Sequence, residues 1–124
     1  MELGAFSVSL TVKDIQRSKS FYEALGFKVA GGDIAQKWLI LRNATDTTIG
    51  LFEGMFDKNM LTFNPGWNSK AEEVDNFTDV RDIQQRLTEQ GVDIEVTCDT
   101  QSQGPAHISL TDPDGNPILI DQHR

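Results

Sequence analysis

The stretch Thr111-Asp112-Pro113-Asp114-Gly115-Asn116-Pro117-Ile118-Leu119-Ile120-Asp121 joins a tight turn to a short apolar strand. Asp112 and Asp114 suit the capping of backbone N–H groups, Pro113 fixes φ at the turn start, and Gly115 supplies a position with φ > 0. Ile108 and Leu110 alternate with polar residues before the turn, and Ile118-Leu119-Ile120 follows it. The stretch therefore reads as a hairpin with one buried strand.

Its counterpart lies at the other end of the chain. Phe6, Val8, Leu10 and Val12 alternate with Ser7, Ser9 and Thr11, the pattern of a half-buried strand. Asp14 is placed to cap a helix whose Ile15, Phe21, Tyr22 and Leu25 share a face. Gly26 stands where a left-handed glycine ends a helix, and Phe27 and Val29 begin a second strand.

The same unit recurs. Asp79 opens a helix on which Val80, Ile83 and Leu87 share a face, and Gly91 closes it. Asp14 to Asp79 and Gly26 to Gly91 are both offsets of 65 residues, and Val12/Phe77, Phe27/Val92 and Val29/Ile94 match at that offset. Later the offset is 69, with Ile49 matching Ile118 and Leu51 matching Ile120. Each half reads β-α-β-β-β. Strands are expected near 5–12, 27–31, 36–43 and 47–53, and again near 72–77, 92–97, 105–111 and 117–122. Gly31-Gly32 reads as a hairpin turn. This makes one domain over 1–124: a first module at about 5–53, a connecting segment at about 54–70, and a second module at about 71–122. The connecting segment carries Phe56, Met60, Leu61, Phe63 and Trp67, too apolar for a solvated linker, so it is expected to pack over a cavity rim or a partner subunit.

Composition narrows the partners. The 124 residues carry 19 Asp and Glu against 11 Lys and Arg, a net charge of −8. No basic cluster exists to release phosphate counterions, so neither nucleic acid nor an anionic membrane is expected. No run is apolar enough to span a bilayer and no leader is read at the start, so a cytoplasmic location is expected. Cys98 is alone and has no basic neighbour in sequence to activate it. No Gly-rich phosphate loop, GxSxG, CxxC or HExxH occurs. Glu72, Glu73 and Asp75 read as a solvated acidic face.

SVSLTVKDIQRSKSFYEALGFKV together with TDPDGNPILID resembles the vicinal oxygen chelate superfamily, the group of glyoxalases, bleomycin-resistance proteins and ring-cleaving dioxygenases. The resemblance implies an α+β fold in which two tandem β-α-β-β-β modules form a curved, incompletely closed mixed sheet around a cavity. It also implies a homodimer. The family's enzymes hold a divalent metal with His, Gln and Glu. Carried over by motif, those positions fall at Ser7, at or near Gly50, near Glu72 and at Leu119. Serine, glycine and leucine are not usable ligands, and one glutamate does not hold a divalent ion. No metal and no cofactor are therefore expected. His107 lies on a strand and reads as a polar residue there, and His123, penultimate, reads as frayed.

A cavity stripped of its metal is left. Alternation places Ser7, Ser9 and Thr11 on one strand face, Trp38, Ile40 and Arg42 on another, then Thr48, Gly50 and Phe52, then His107, Ser109 and Thr111, then Leu119 and Asp121. The candidate ligand-binding residues are Ser7, Ser9, Trp38, Arg42, Phe52, Trp67, His107 and Leu119. Trp38 suits stacking on a planar ligand, Arg42 pairing with a carboxylate, and His107 hydrogen bonding or proton transfer. The preferred reading is a metal-free protein that binds a small apolar or aromatic molecule. One alternative is a lyase, isomerase or dioxygenase of the superfamily that uses a metal from a shifted register or acid–base chemistry through His107. The other is a structural or regulatory subunit whose cavity is filled by its own side chains.

Overall fold

The computed structural model describes residues 1–124. Its strands are β1 (Ala5–Val12), β2 (Lys28–Asp33), β3 (Trp38–Arg42), β4 (Thr48–Glu53), β5 (Met60–Asn64), β6 (Ala106–Thr111) and β7 (Pro117–Gln122). Its helices are α1 (Ile15–Ala24) and α2 (Val80–Glu89), with a 3-10 turn at Ile34–Gln36. The chain is thus α+β, as expected. It divides into two compact units, Ser7–Met60 and Met1–Phe6 with Leu61–Arg124.

In the Ser7–Met60 unit the strands lie in the order β2-β3-β4-β1. β1 runs parallel to β4, and β3 pairs antiparallel with both β2 and β4. The Asp14 carboxylate accepts a hydrogen bond from the Arg17 N–H at 3.2 Å and starts α1. At the far end Gly26 takes φ +100°, and the Phe27 N–H donates to the Tyr22 carbonyl at 3.1 Å, the bond that closes a Schellman turn. Ile15 is the buried residue of α1 and packs on Leu39, Leu41, Ile49 and Leu51, the odd-numbered face of β3 and β4. A second bond holds the helix start to the sheet: Glu53 Oε1, at the end of β4, accepts from the Ile15 N–H at 3.0 Å. Lys37 pairs with the same carboxylate at 2.9 Å.

The other unit repeats the plan. β5 runs parallel to β7, and β6 pairs antiparallel with β7. Asp79 caps α2 through the Arg81 N–H at 2.9 Å, and the Val92 N–H donates to the Leu87 carbonyl at 3.0 Å where Gly91 ends the helix. Val80 and Ile83 pack on Ile108, Leu110 and Ile120. Gln122, 1 % exposed at the end of β7, stands where Glu53 stands on β4. Its Oε1 accepts from the Val80 N–H at 2.7 Å, while its Nε2 donates to Asp79 Oδ2 at 2.9 Å and to the Arg124 carbonyl at 2.8 Å. Burial pushes the Asp79 carboxyl up, but the bonds from Gln122 and Arg81 outweigh it and hold the group below the usual carboxylate range.

Four expectations from sequence are corrected. No strand forms at 72–77; the strand beside β7 is β5 at Met60–Asn64, inside the stretch read as a connection. Met60 to Phe63 has the apolar and β-branched content of a strand, whereas Ala71 and Asn76 adopt φ of 60° and 57°, which no extended strand accommodates. Asn68 curls that segment instead, its Oδ1 accepting from the Lys70 and Glu72 N–H groups. The strand expected at 92–97 is reduced to one bridge, Val96 to Ser109. Gly31 and Gly32 lie inside β2, and the chain reverses through the 3-10 turn that Asp33 caps by accepting from the Ala35 N–H. A Cβ on Gly32 would meet the Trp38 carbonyl oxygen at 2.6 Å, so that glycine serves strand approach and not a turn. The fourth correction, at His123, belongs with the site below.

Gln122→Ala strips the acceptor from a buried N–H at the start of α2. A stability loss of about 1–3 kcal/mol is expected, read as a lower urea midpoint with an unchanged slope. A loss within error would show that the Val80 N–H finds another partner.

Candidate functional site

In the Ser7–Met60 unit the strand face opposite α1 carries the candidate residues. Register places Ser9 across from Gly50 and Thr11 across from Phe52. Trp38 lies across from Phe52, Ile40 from Gly50 and Arg42 from Thr48. One surface therefore brings together Ser9, Trp38, Arg42 and Phe52, as alternation implied, with Ser7 two residues before Ser9 on the same strand. Ser7 and Ser9 are buried, whereas Trp38, Arg42 and Phe52 are half-exposed.

The aromatic side chains form a row. The Trp38 and Phe52 rings lie 8° from parallel with centroids 6.4 Å apart, and Phe56 tilts against Phe52 at 5.3 Å. Phe56 is held by β1: Thr11 Oγ1 donates to the Phe56 carbonyl at 2.9 Å, and the Thr11 N–H donates to Asn59 Oδ1 at 2.9 Å. Gly50 makes the row possible. A Cβ at that position would lie 2.5 Å from Phe52 Cε2 and 3.2 Å from Cζ, so the Phe52 ring covers the space a side chain at 50 would need. At the other end of the face Arg42 Nε donates to Thr48 Oγ1 at 3.1 Å, which fixes the guanidinium plane.

In the other unit Thr62 is across from Leu119, and Leu119 from Ser109. His107 is exposed and lies across from Asp121. Leu119 is half-buried and apolar. Trp67 and His123 meet there: their rings are 4° from parallel with centroids 4.7 Å apart, and His123 Nε2 is 3.3 Å from Asp121 Oδ2. His123 is therefore not frayed. Its stacking partner lies more than fifty positions away in sequence, so no local signal marks it. The hydrogen bond to Asp121 holds the imidazolium above the usual histidine range, against the opposing effect of burial. Arg124 ties the preceding loop down by donating to the Gly66 and Val74 carbonyls and lying over the Phe77 ring.

Each unit also carries an open groove. One of about 520 Å³ runs along the start of α1 past Lys13, Arg17, Phe21, Tyr22 and Asn59, and none of the candidate residues lines it. One of about 410 Å³ passes Phe63, Trp67 and Asn68.

The metal positions implied by the family motif do not fit a cation. Ser7 offers a hydroxyl, Gly50 has no side chain and lies under the Phe52 ring, and Leu119 is apolar. Glu72 lies in the loop, where its Oε1 accepts from Asn68 Nδ2 at 3.0 Å. No three His, Cys, Asp or Glu side chains stand together in an arrangement that could hold an ion. That donor set lacks the ligand number a divalent ion needs.

Comparisons with known proteins agree with the fold. The model of the glyoxalase/bleomycin resistance protein/dioxygenase superfamily matches residues 4–120. No curated protein matches the chain. A superfamily member from Vibrio splendidus 12B01 is 17% identical over 94% of this chain and 97% of its own, with a TM-score of 0.63. An NAD-dependent benzaldehyde dehydrogenase from Legionella pneumophila is 15% identical over 96% of this chain and 99% of its own, with a TM-score of 0.68. An extradiol ring-cleaving dioxygenase from B. fuscum is 19% identical over 97% of this chain and 32% of its own, with a TM-score of 0.57. Likeness at this identity is one of fold, and a fold shared by such different names does not assign an activity.

Two outcomes are expected here. Gly50→Ala forces the Phe52 ring off its seat and destabilises the protein by about 1–3 kcal/mol, and pairing it with Phe52→Leu recovers much of that loss. Additive losses in that cycle would mean the ring and residue 50 do not compete. For His123, a raised folded pKa means its contribution is complete below the unfolded value of about 6.5 and disappears as pH rises through the higher folded value. His123→Gln should therefore lower Tm most below pH 6.5, with the difference closing at higher pH. An imidazole titration midpoint at or below 6.5 by NMR would contradict this.

Proposed function

The chain belongs to the glyoxalase/bleomycin resistance protein/dioxygenase superfamily, and on that footing we propose that it is a metal-free binding protein for a small apolar or aromatic molecule. The observation that carries this reading is the Phe52 ring over Gly50. Where an enzyme of the family would present a metal ligand on its fourth strand, this chain has no side chain, and an aromatic ring takes the space. The ring continues a row from Trp38 to Phe56. Aromatic walls with a few placed polar groups, here Ser7, Ser9 and Arg42, are what a small-molecule site requires. Trp67, His107 and Leu119 stand in the other unit and are proposed there as ligand-binding residues of that unit alone. A homodimer in the cytoplasm is part of the same reading. It is supported by the family resemblance, by the exposed Phe21 and Leu25 of the α1 end, and by the absence of any helix long and apolar enough to cross a membrane.

The test has two arms. Protein purified without a metal-binding tag and dialysed without chelator should hold far less than one metal per protomer by elemental analysis; near-stoichiometric nickel, zinc, iron or manganese would overturn the reading. A panel of small aromatic compounds should include some that raise Tm with rising concentration, and Trp38→Leu should abolish the shift. A panel without any effect would point instead to a subunit whose cavity is filled by its own side chains.

A further inference from the structure

The face that carries Trp38 also carries an unbalanced charge. β2 and β3 place Lys28 directly across from Arg42. Residues opposed in this way share a face with Cβ atoms about 5 Å apart, and like charges so placed destabilise a sheet. Neither side chain makes a salt bridge, as is true also of Lys13, Arg17, Lys58, Lys70 and Arg86, but only Lys28 and Arg42 are opposed to each other across a strand pair. In a chain of net charge −8 the two cations set side by side here make a local positive spot.

Arg42 is also oriented. Its Nε donates to Thr48, and its terminal nitrogens donate to no protein atom. A guanidinium held by one edge presents its remaining donors as a planar fork that fits a carboxylate or a similar oxyanion. The aromatic end has the opposite polarity. Asp33 lies across from Trp38, its carboxylate engaged by the Ala35 N–H at 2.9 Å. An anion is repelled there and attracted at Arg42. Between the two ends Ile40 is flanked by Gly31 and Gly50. A Cβ at Gly31 would touch only Ile40, at 3.9 Å, so the surface between the ends is low and unobstructed on that side. Trp38 and Arg42 are four residues apart on one strand, roughly 13 Å between Cα atoms.

We propose that the ligand of this face is an elongated aromatic anion, its flat end against Trp38 and Phe52 and its anionic group held between Arg42 and Lys28. This rests on the binding reading above and names the chemistry of what is bound. The anion supplies the countercharge that the strand pair lacks, so ligand binding also removes a repulsion built into the empty protein.

The test uses the full chain and two fluorescent probes of one skeleton: 6-(p-toluidino)naphthalene-2-sulfonate and its neutral parent, N-(p-tolyl)-2-naphthylamine. The sulfonate should bind at least about tenfold more tightly than the parent, as one charge-assisted contact supplies. Arg42→Gln should remove most of that difference, Lys28→Gln part of it, and Trp38→Leu should weaken both probes. Added salt should weaken the sulfonate alone. Without ligand, Lys28→Gln should raise Tm, which a lysine of merely structural value would not do. Equal binding of both probes, insensitive to Arg42→Gln, overturns the anionic assignment and leaves the binding reading standing. Sulfonate binding unaffected by Trp38→Leu places the probe elsewhere and overturns it as well. Binding of neither probe, with no ligand-induced Tm shift, overturns both.

Discussion

The first N–H of each helix in this protein is held by a side chain at the end of a strand. Glu53 accepts from the first N–H of α1, and Gln122 accepts from the first N–H of α2. The first N–H groups of a helix have no partner within it, and a buried one without a partner is costly. Supplying the acceptor from the strand beneath satisfies that donor and locks the helix position in the same contact. Ile15 and Val80, whose N–H groups are held, are also the residues that enter the two cores. Because each helix is committed to one face, the other face of the same strands is left for something else.

What that other face carries follows from strand alternation. On β3 and β4 the odd positions Leu39, Leu41, Ile49 and Leu51 make the core, and the even positions Trp38, Ile40, Arg42, Thr48, Gly50 and Phe52 look the other way. A change at an even position leaves the core untouched. At position 50 that face has glycine, with the Phe52 ring over the space a side chain would take. The result is a surface with the rings of Trp38 and Phe52 at one end and the cations of Arg42 and Lys28 at the other.

The two strand ends are not equivalent. Glu53 is exposed enough to keep its charge and pairs with Lys37, which holds its carboxyl below the usual range. Gln122 is wholly buried, where a carboxylate beside Asp79 would be costly, and a neutral amide both accepts from Val80 and donates to Asp79. The same geometric task is met by a charge where water reaches and by an amide where it does not.

The elements whose information is local were legible in the sequence. Both helices, their Asp caps and their glycine stops, strands β1, β4, β6 and β7, and the alternation that puts Trp38, Arg42 and Phe52 on one face all follow from period and capping chemistry over short spans. What depended on distant partners was not legible. β5 becomes a strand because β7 pairs with it, while the acidic 72–77 segment curls through left-handed residues. Gly31 and Gly32 are drawn into β2 by the backbone of β3. His123, one residue from the end, is ordered by a tryptophan that only folding brings beside it. The sequence by itself determined which side chains could share a face, because a strand alternates whatever it pairs with. Only the tertiary structure decided which strands exist to pair, since a backbone hydrogen bond stabilises a strand only when its partner has arrived.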